Sequence, residues 1–125
     1  MGKRITITAG KLAVEAELND SPCARAICEA MPIKASANTW GEEVYFDIGV
    51  DFKLADDARE EMAIGEIGYW PTGSAFCIFF GRTPASGRDG KPRAASAVNP
   101  IGRVIGDAKA LAAVSDGQQI TLTHK

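Results

Sequence analysis

The chain predicts an all-β fold, an antiparallel barrel or sandwich of about eight short strands with one main short helix. Three observations carry this. Short segments alternate polar and apolar residues and are rich in β-branched side chains, the pattern of strands with one face in a core. Thirteen glycines and six prolines in 125 residues interrupt the chain often, so the strands are short. Only one stretch carries both the start and the stop signals of a helix. Closing such a sheet into a barrel removes its exposed edges.

Residues 4–8 (Arg-Ile-Thr-Ile-Thr) alternate and form the first strand. Residues 12–18 form the second, with Leu12, Val14, Ala16 and Leu18 on one face, and the turn at Ala9, Gly10 and Lys11 makes the pair a hairpin. Ser21 is a helix N-cap and Pro22 suits the first helical position, where its missing N–H has no partner to lose. The helix carries Ile27 and Met31 at helical spacing, and Pro32 stops it. Residues 33–38 and 43–48 read as the next two strands. The acidic, Ala-rich residues 51–63 read either as a helical turn near 56–62 or as a long surface loop. Residues 65–70 form a strand with little side chain at Gly65 and Gly68, and residues 71–74 form a turn. Residues 75–80 (Ala-Phe-Cys-Ile-Phe-Phe) are apolar throughout, which predicts a central strand buried on both faces. A Gly/Pro/Arg-rich loop over 81–96, with its tip at 88–91, precedes the last strands at 102–105 and 120–123. With no repeat and no linker, residues 1–125 make one domain.

Composition narrows the function. The formal charge of −2 argues against a nucleic-acid partner, which needs a basic face. No run of about 18 apolar residues exists, so no membrane-spanning helix and no membrane partner are expected. Cys23, Cys28 and Cys77 are odd in number and contain no C-x-x-C, which points to reduced thiols and a cytoplasmic location, of prokaryotic type by the resemblance below. The basic N-terminus has no apolar stretch after it and does not read as a signal peptide. The single histidine, His124, lies beside the C-terminus, away from any nucleophile-and-base relay. No ligand cluster for a metal and no phosphate-binding glycine loop is present, so neither a metal nor a cofactor is expected. Charge is uneven: residues 42–66 hold nine acidic groups, and from Arg82 onward seven basic groups stand against three acidic ones. Either two solvated segments or a polar groove between them accounts for this.

Two stretches carry a resemblance. Gly73–Ser74–Ala75–Phe76–Cys77–Ile78 resembles the cyclophilin strand Gly-Ser-Gln-Phe-Phe-Ile, and Ile101–Gly102–Arg103–Val104–Ile105–Gly106 resembles the later run Phe-Gly-Lys-Val-x-x-Gly. With Gly65–Glu66–Ile67–Gly68–Tyr69–Trp70–Pro71, Phe79–Phe80–Gly81–Arg82–Thr83–Pro84 and the segment Asn99 to Val104, the chain looks most like the small bacterial and archaeal cyclophilin-like domains. The resemblance covers residues 65–111 best and implies a closed antiparallel eight-stranded β-barrel, smaller than a cyclophilin. Cyclophilins isomerise X-Pro bonds across a barrier of about 18–20 kcal/mol, with an arginine, a glutamine, a histidine and aromatics in a shallow groove. Here the glutamine place falls on Ala75, the second phenylalanine on Cys77, the histidine near Val98 and the arginine on Phe46 or Asp47. Without those polar donors a twisted amide gains little, so efficient isomerisation is not expected.

Strand alternation places Phe76, Ile78 and Phe80 on one face and Ala75, Cys77 and Phe79 on the other. By the resemblance the first set fills the barrel and the second faces a groove. Tyr69 and Trp70 enter it from the neighbouring strand, Arg82 and Thr83 stand at the strand exit as polar anchors, and Asn99 caps a turn. Glu66 on a central strand is a candidate acid. The favoured function is a module that holds a small organic molecule or peptide end on this apolar floor, with Arg82 gripping a carboxylate or carbonyl. The alternatives are a weak or vestigial peptidyl-prolyl isomerase and a homo-oligomeric interaction protein that pairs through its apolar outer face.

Overall fold

The computed structural model describes residues 2–125. Strands β1 (Lys3–Ala9) and β2 (Leu12–Leu18) form the expected hairpin, Ile5 opposite Ala16 and Ile7 opposite Val14. Helix α1 (Pro22–Ala30) follows; the Ser21 hydroxyl accepts from the Ala24 N–H at 3.2 Å, and the next proline, Pro32, follows a cis Met31–Pro32 bond. Its apolar face, Cys23, Ala24, Ile27 and Cys28, is buried against the sheet. The remaining strands are β3 (Ile33–Ser36), β4 (Asn38–Thr39), β5 (Glu43–Asp47), β6 (Arg59–Glu61), β7 (Glu66–Trp70), β8 (Ala75–Phe79), β9 (Arg93–Ile105) and β10 (Gln119–His124). Short 3-10 turns occupy Pro71–Gly73 and Ala108–Ala113.

All pairings are antiparallel, in the order β3-β10-β1-β2-β9-β7-β8-β5-β4, with β6 on β9. The fold is all-β as expected, but the eight-stranded closed barrel is corrected to a ten-stranded sheet that is not closed. Its two ends, β3 and β4, are successive pieces of residues 33–39. The buried Ala37 still bonds toward β10, donating to the Gln118 carbonyl at 2.8 Å and accepting from the Gly117 N–H at 2.7 Å. One residue later the chain pairs with β5, so no ladder joins β3 to β4.

Two further expectations change. Of the two readings of residues 51–63, the loop holds for 51–58, and the helical turn near 56–62 gives way to β6, whose backbone groups pair with β9 at Arg59↔Val98 and Glu61↔Arg93; a partner strand satisfies that backbone more completely than one isolated turn. The loop expected over 81–96 ends at residue 92, and β9 runs 13 residues. Pro100 disguises this strand. It sits at a register shift opposite Gly68, where a residue without an N–H is tolerated.

The strand over 75–79 is central and buried along its whole length, as expected. Its inner face joins the main core. Phe76 stacks on Phe46 at 5.3 Å between ring centroids, among Ile5, Ile7, Leu18, Ile27, Ile67, Ile101 and Leu122. Its outer face belongs to a second, smaller cluster of Met62, Ala75, Cys77, Phe79, Ala94 and Val98. That cluster exists because β6 and the first half of β9 fold back across β7 and β8. Gly68 makes the close approach possible: a Cβ there would lie 2.5 Å from the Val98 side chain.

Candidate functional site

The outer cluster is incompletely filled. Between β5, β7, β8 and the start of β9 it leaves a cleft of about 170 Å³. Strand register builds it: Tyr45 on β5 and Gly68 on β7 both lie opposite Cys77 on β8, and Trp70 lies opposite Ala75. Alternation on β5 turns Val44 and Phe46 into the main core and leaves Glu43 and Tyr45 on the outer face. Small side chains from β9, Ala94, Ala95 and Val98, face Cys77 across the cleft. The walls are aromatic. Trp40 lies at the turn before β5, and Tyr45 and Trp70 meet as a corner, with ring planes at 88° and centroids 6.4 Å apart. The Trp70 indole N–H donates to the Ser96 hydroxyl at 2.7 Å, which fixes that wall to β9.

One carboxyl reaches this apolar space. Glu43 is only 5% exposed, and among the described residues it takes part in no ion pair. Burial pushes its carboxyl up to about 7, and the Cys77 thiol beside it draws it partly back. The thiol itself is raised well above its ordinary range by burial and by the Glu43 charge, so Cys77 is a protonated donor and not a nucleophile.

Of the residues expected in the groove, Trp70 and Cys77 line the cleft, and Ala75 and Phe79 are buried in the cluster that carries it. Tyr69 is placed elsewhere. It lies on the inner face of β7, is wholly buried, and its hydroxyl donates to the Val50 carbonyl and accepts from the Phe52 N–H at 3.1 Å. Arg82 is exposed and lies over Gly90, away from the cleft lining, with its backbone tied to Glu42. Thr83 is buried and staples its own loop, donating to the Arg93 carbonyl at 2.5 Å. Asn99 does not cap a local turn; it is 1% exposed and ties down a remote loop. Its amide donates to the Lys53 carbonyl at 2.9 Å and its oxygen accepts from the Ala55 N–H at 2.7 Å. Glu66 is half-buried against the Arg59 guanidinium. Burial raises its carboxyl, but Arg59 and the Ala63 N–H together hold it below the ordinary range, the opposite of a raised general acid.

The sequence reading missed Trp40, Glu43, Tyr45 and the β9 residues. The alternation of residues 43–47 already separates Glu43 and Tyr45 from Val44 and Phe46. What it lacks is the cover: β9 reads as a loop, so the outer face of β5 reads as solvated. The acidic and basic stretches do meet, as exposed pairs Glu60–Arg93 at 3.2 Å and Glu42–Lys109 at 4.0 Å. An open groove of about 630 Å³ lies between residues 59–66 and 89–92, lined by both signs of charge. Among the described residues no group of three or more His, Cys, Asp or Glu is placed to hold a metal, and no helix is long and apolar enough to cross a membrane.

Comparison with known proteins agrees with the architecture. No curated protein matches the chain. A solution structure of a hypothetical protein from Archaeoglobus fulgidus is similar, at 36% identity and a TM-score of 0.83, covering 99% of this chain and 95% of that one. The family model described as cyclophilin-like matches residues 3–123. The chain is a member of the cyclophilin-like family.

Proposed function

We propose that this protein is a binding module that holds a small, largely apolar ligand or the end of a peptide in the cleft on the outer face of β8. The observation that carries the reading is an aromatic-walled cleft with, among the described residues, a single buried carboxyl and no cation paired with it. Ligand sites commonly combine apolar walls with one or two convergent polar groups, and a buried group with a shifted pKa marks a place where stability has been set aside for another use. The anchor is Glu43 rather than Arg82, so the ligand presents a donor and not an anion. Isomerisation is less favoured: the cleft lining contains no arginine, histidine or glutamine to work on a twisted amide.

An amide-shift titration by NMR tests this reading, using small neutral aromatics and a short X-Pro peptide. The expected result is a joint movement of Tyr45, Trp70, Cys77 and Ala94, unaltered in Arg82→Ala. Shifts gathered at Arg82 and the 88–91 tip, or no localised shifts at all, would overturn it.

A further inference from the structure

Building on the cleft as a binding site, we propose that its ligand carries an alkylated ammonium group, with the positive charge against the Glu43 carboxylate and the methyl groups against Trp40, Tyr45 and Trp70. Three features of the cleft favour this chemistry over other donors. First, Glu43 is 5% exposed and enters no ion pair among the described residues, while the one S–H of its neighbour Cys77 points to the Ala75 carbonyl at 3.9 Å and is at most a single weak donor for a group with about four acceptor sites. An incoming cation supplies the missing charge. Second, the walls are aromatic, and aromatic faces carry negative charge density that attracts a cation within about 6 Å of the ring centre. Tyr45 and Trp70 stand at right angles with centroids 6.4 Å apart, so one compact cation in their corner can touch both rings. Third, the lining offers no second carboxylate and no backbone-rich polar rim, so a metal ion or a strongly hydrated primary ammonium finds too few partners. Methyl groups around the nitrogen suit apolar walls instead. A volume of about 170 Å³ admits such a head group but not an extended peptide. Among the described residues, Tyr45 on β5 and Cys77 on β8 are the only other titratable groups lining the cleft, and none lines it from β7 or β9.

The test is an amide-shift titration of the full chain with choline and, in parallel, with 3,3-dimethylbutan-1-ol, its neutral carbon isostere. At about pH 8, with Glu43 ionised, choline is expected to move Tyr45, Trp70 and Cys77 and to bind about tenfold tighter than the alcohol. Glu43→Gln, with its inner-face shifts unchanged, is expected to remove that preference. Should that variant not fold, Tyr45→Leu is expected to weaken choline more than the alcohol. A short trimethyllysine peptide identifies the source: tighter binding than choline assigns the head group to a side chain, weaker binding to a free small molecule. Equal or tighter binding of the alcohol overturns the ammonium assignment and leaves the cleft as a binding site. No shift at the cleft with any of the three probes overturns both.

Discussion

The two faces of β8 are packed by different rules. Inside, Phe76 and Ile78 are wholly buried among large aliphatic and aromatic side chains, and Phe46 stacks on Phe76. Outside, alternate positions carry Ala75, Cys77 and the buried Phe79, the covering strand contributes the smaller Ala94 and Val98, and a glutamate enters the same space. Close-packed interiors are the norm for a core that maximises stability. The outer cluster departs from that norm twice, by leaving space and by burying a carboxyl. One strand therefore supports a close-packed face and a face that leaves a cleft beside a buried carboxyl, the feature on which the proposed binding function rests.

The largest test of this contrast is the pair Phe76→Ala and Cys77→Ala. Loss of the inner ring is expected to lower unfolding free energy by about 3–5 kcal/mol, and loss of the outer thiol by about 1 kcal/mol, measured by urea denaturation. Equal losses would mean that one sulfur outside costs as much as a whole ring inside, which contradicts a loosely filled outer face.

Next in size is the pH dependence set by Glu43. The folded carboxyl holds its proton up to about 7, against an ordinary value of 4.5 in the unfolded chain. Between those values the folded state binds more protons, so stability falls as pH rises through the window, and the full loss is present above it. The shift corresponds to about 3 kcal/mol. Glu43→Gln is expected to flatten that slope and to be more stable than the parent near pH 8 by part of this amount. An unchanged slope in the variant would place its origin elsewhere.

Asn99→Ala sharpens the comparison from the inner side. It removes the partners of the Ala55 N–H and the Lys53 carbonyl and is expected to cost about 1–3 kcal/mol. Faster hydrogen exchange at Ala55 would localise the effect to the 48–58 loop, leaving the cleft shifts in place. The smallest effect belongs to Arg82→Ala, expected within about 0.5 kcal/mol of the parent, because the side chain is exposed and only its backbone is tied to Glu42.

These residues also show what the sequence makes legible. The β1–β2 hairpin, the Ser21-capped helix and the two-faced strand over 75–79 follow local rules, and alternation there separates Phe76 and Ile78 from Ala75 and Cys77 correctly. Tyr69 and Trp70 are adjacent, so alternation must send one of them to the core; composition alone draws both to the groove. Arg82, Thr83 and Asn99 look like polar anchors beside an apolar strand, and the structure uses the last two as loop staples. The cleft itself depends on a long-range event, the folding of β9 across β8. That event is hidden by Pro100 and by Gly68, whose role is visible only once Val98 sits against it. Local patterns carry strands and faces; the buried state of Glu43 depends on which strand covers which.

The most direct measurement follows the Glu43 side-chain carboxyl by 13C NMR as pH is varied in the free protein. A midpoint near 7, moving down when a cation occupies the cleft, is the expected result. A midpoint in the ordinary range near 4.5 would put the side chain in water and contradict the buried, unneutralised carboxyl on which the proposed binding function rests.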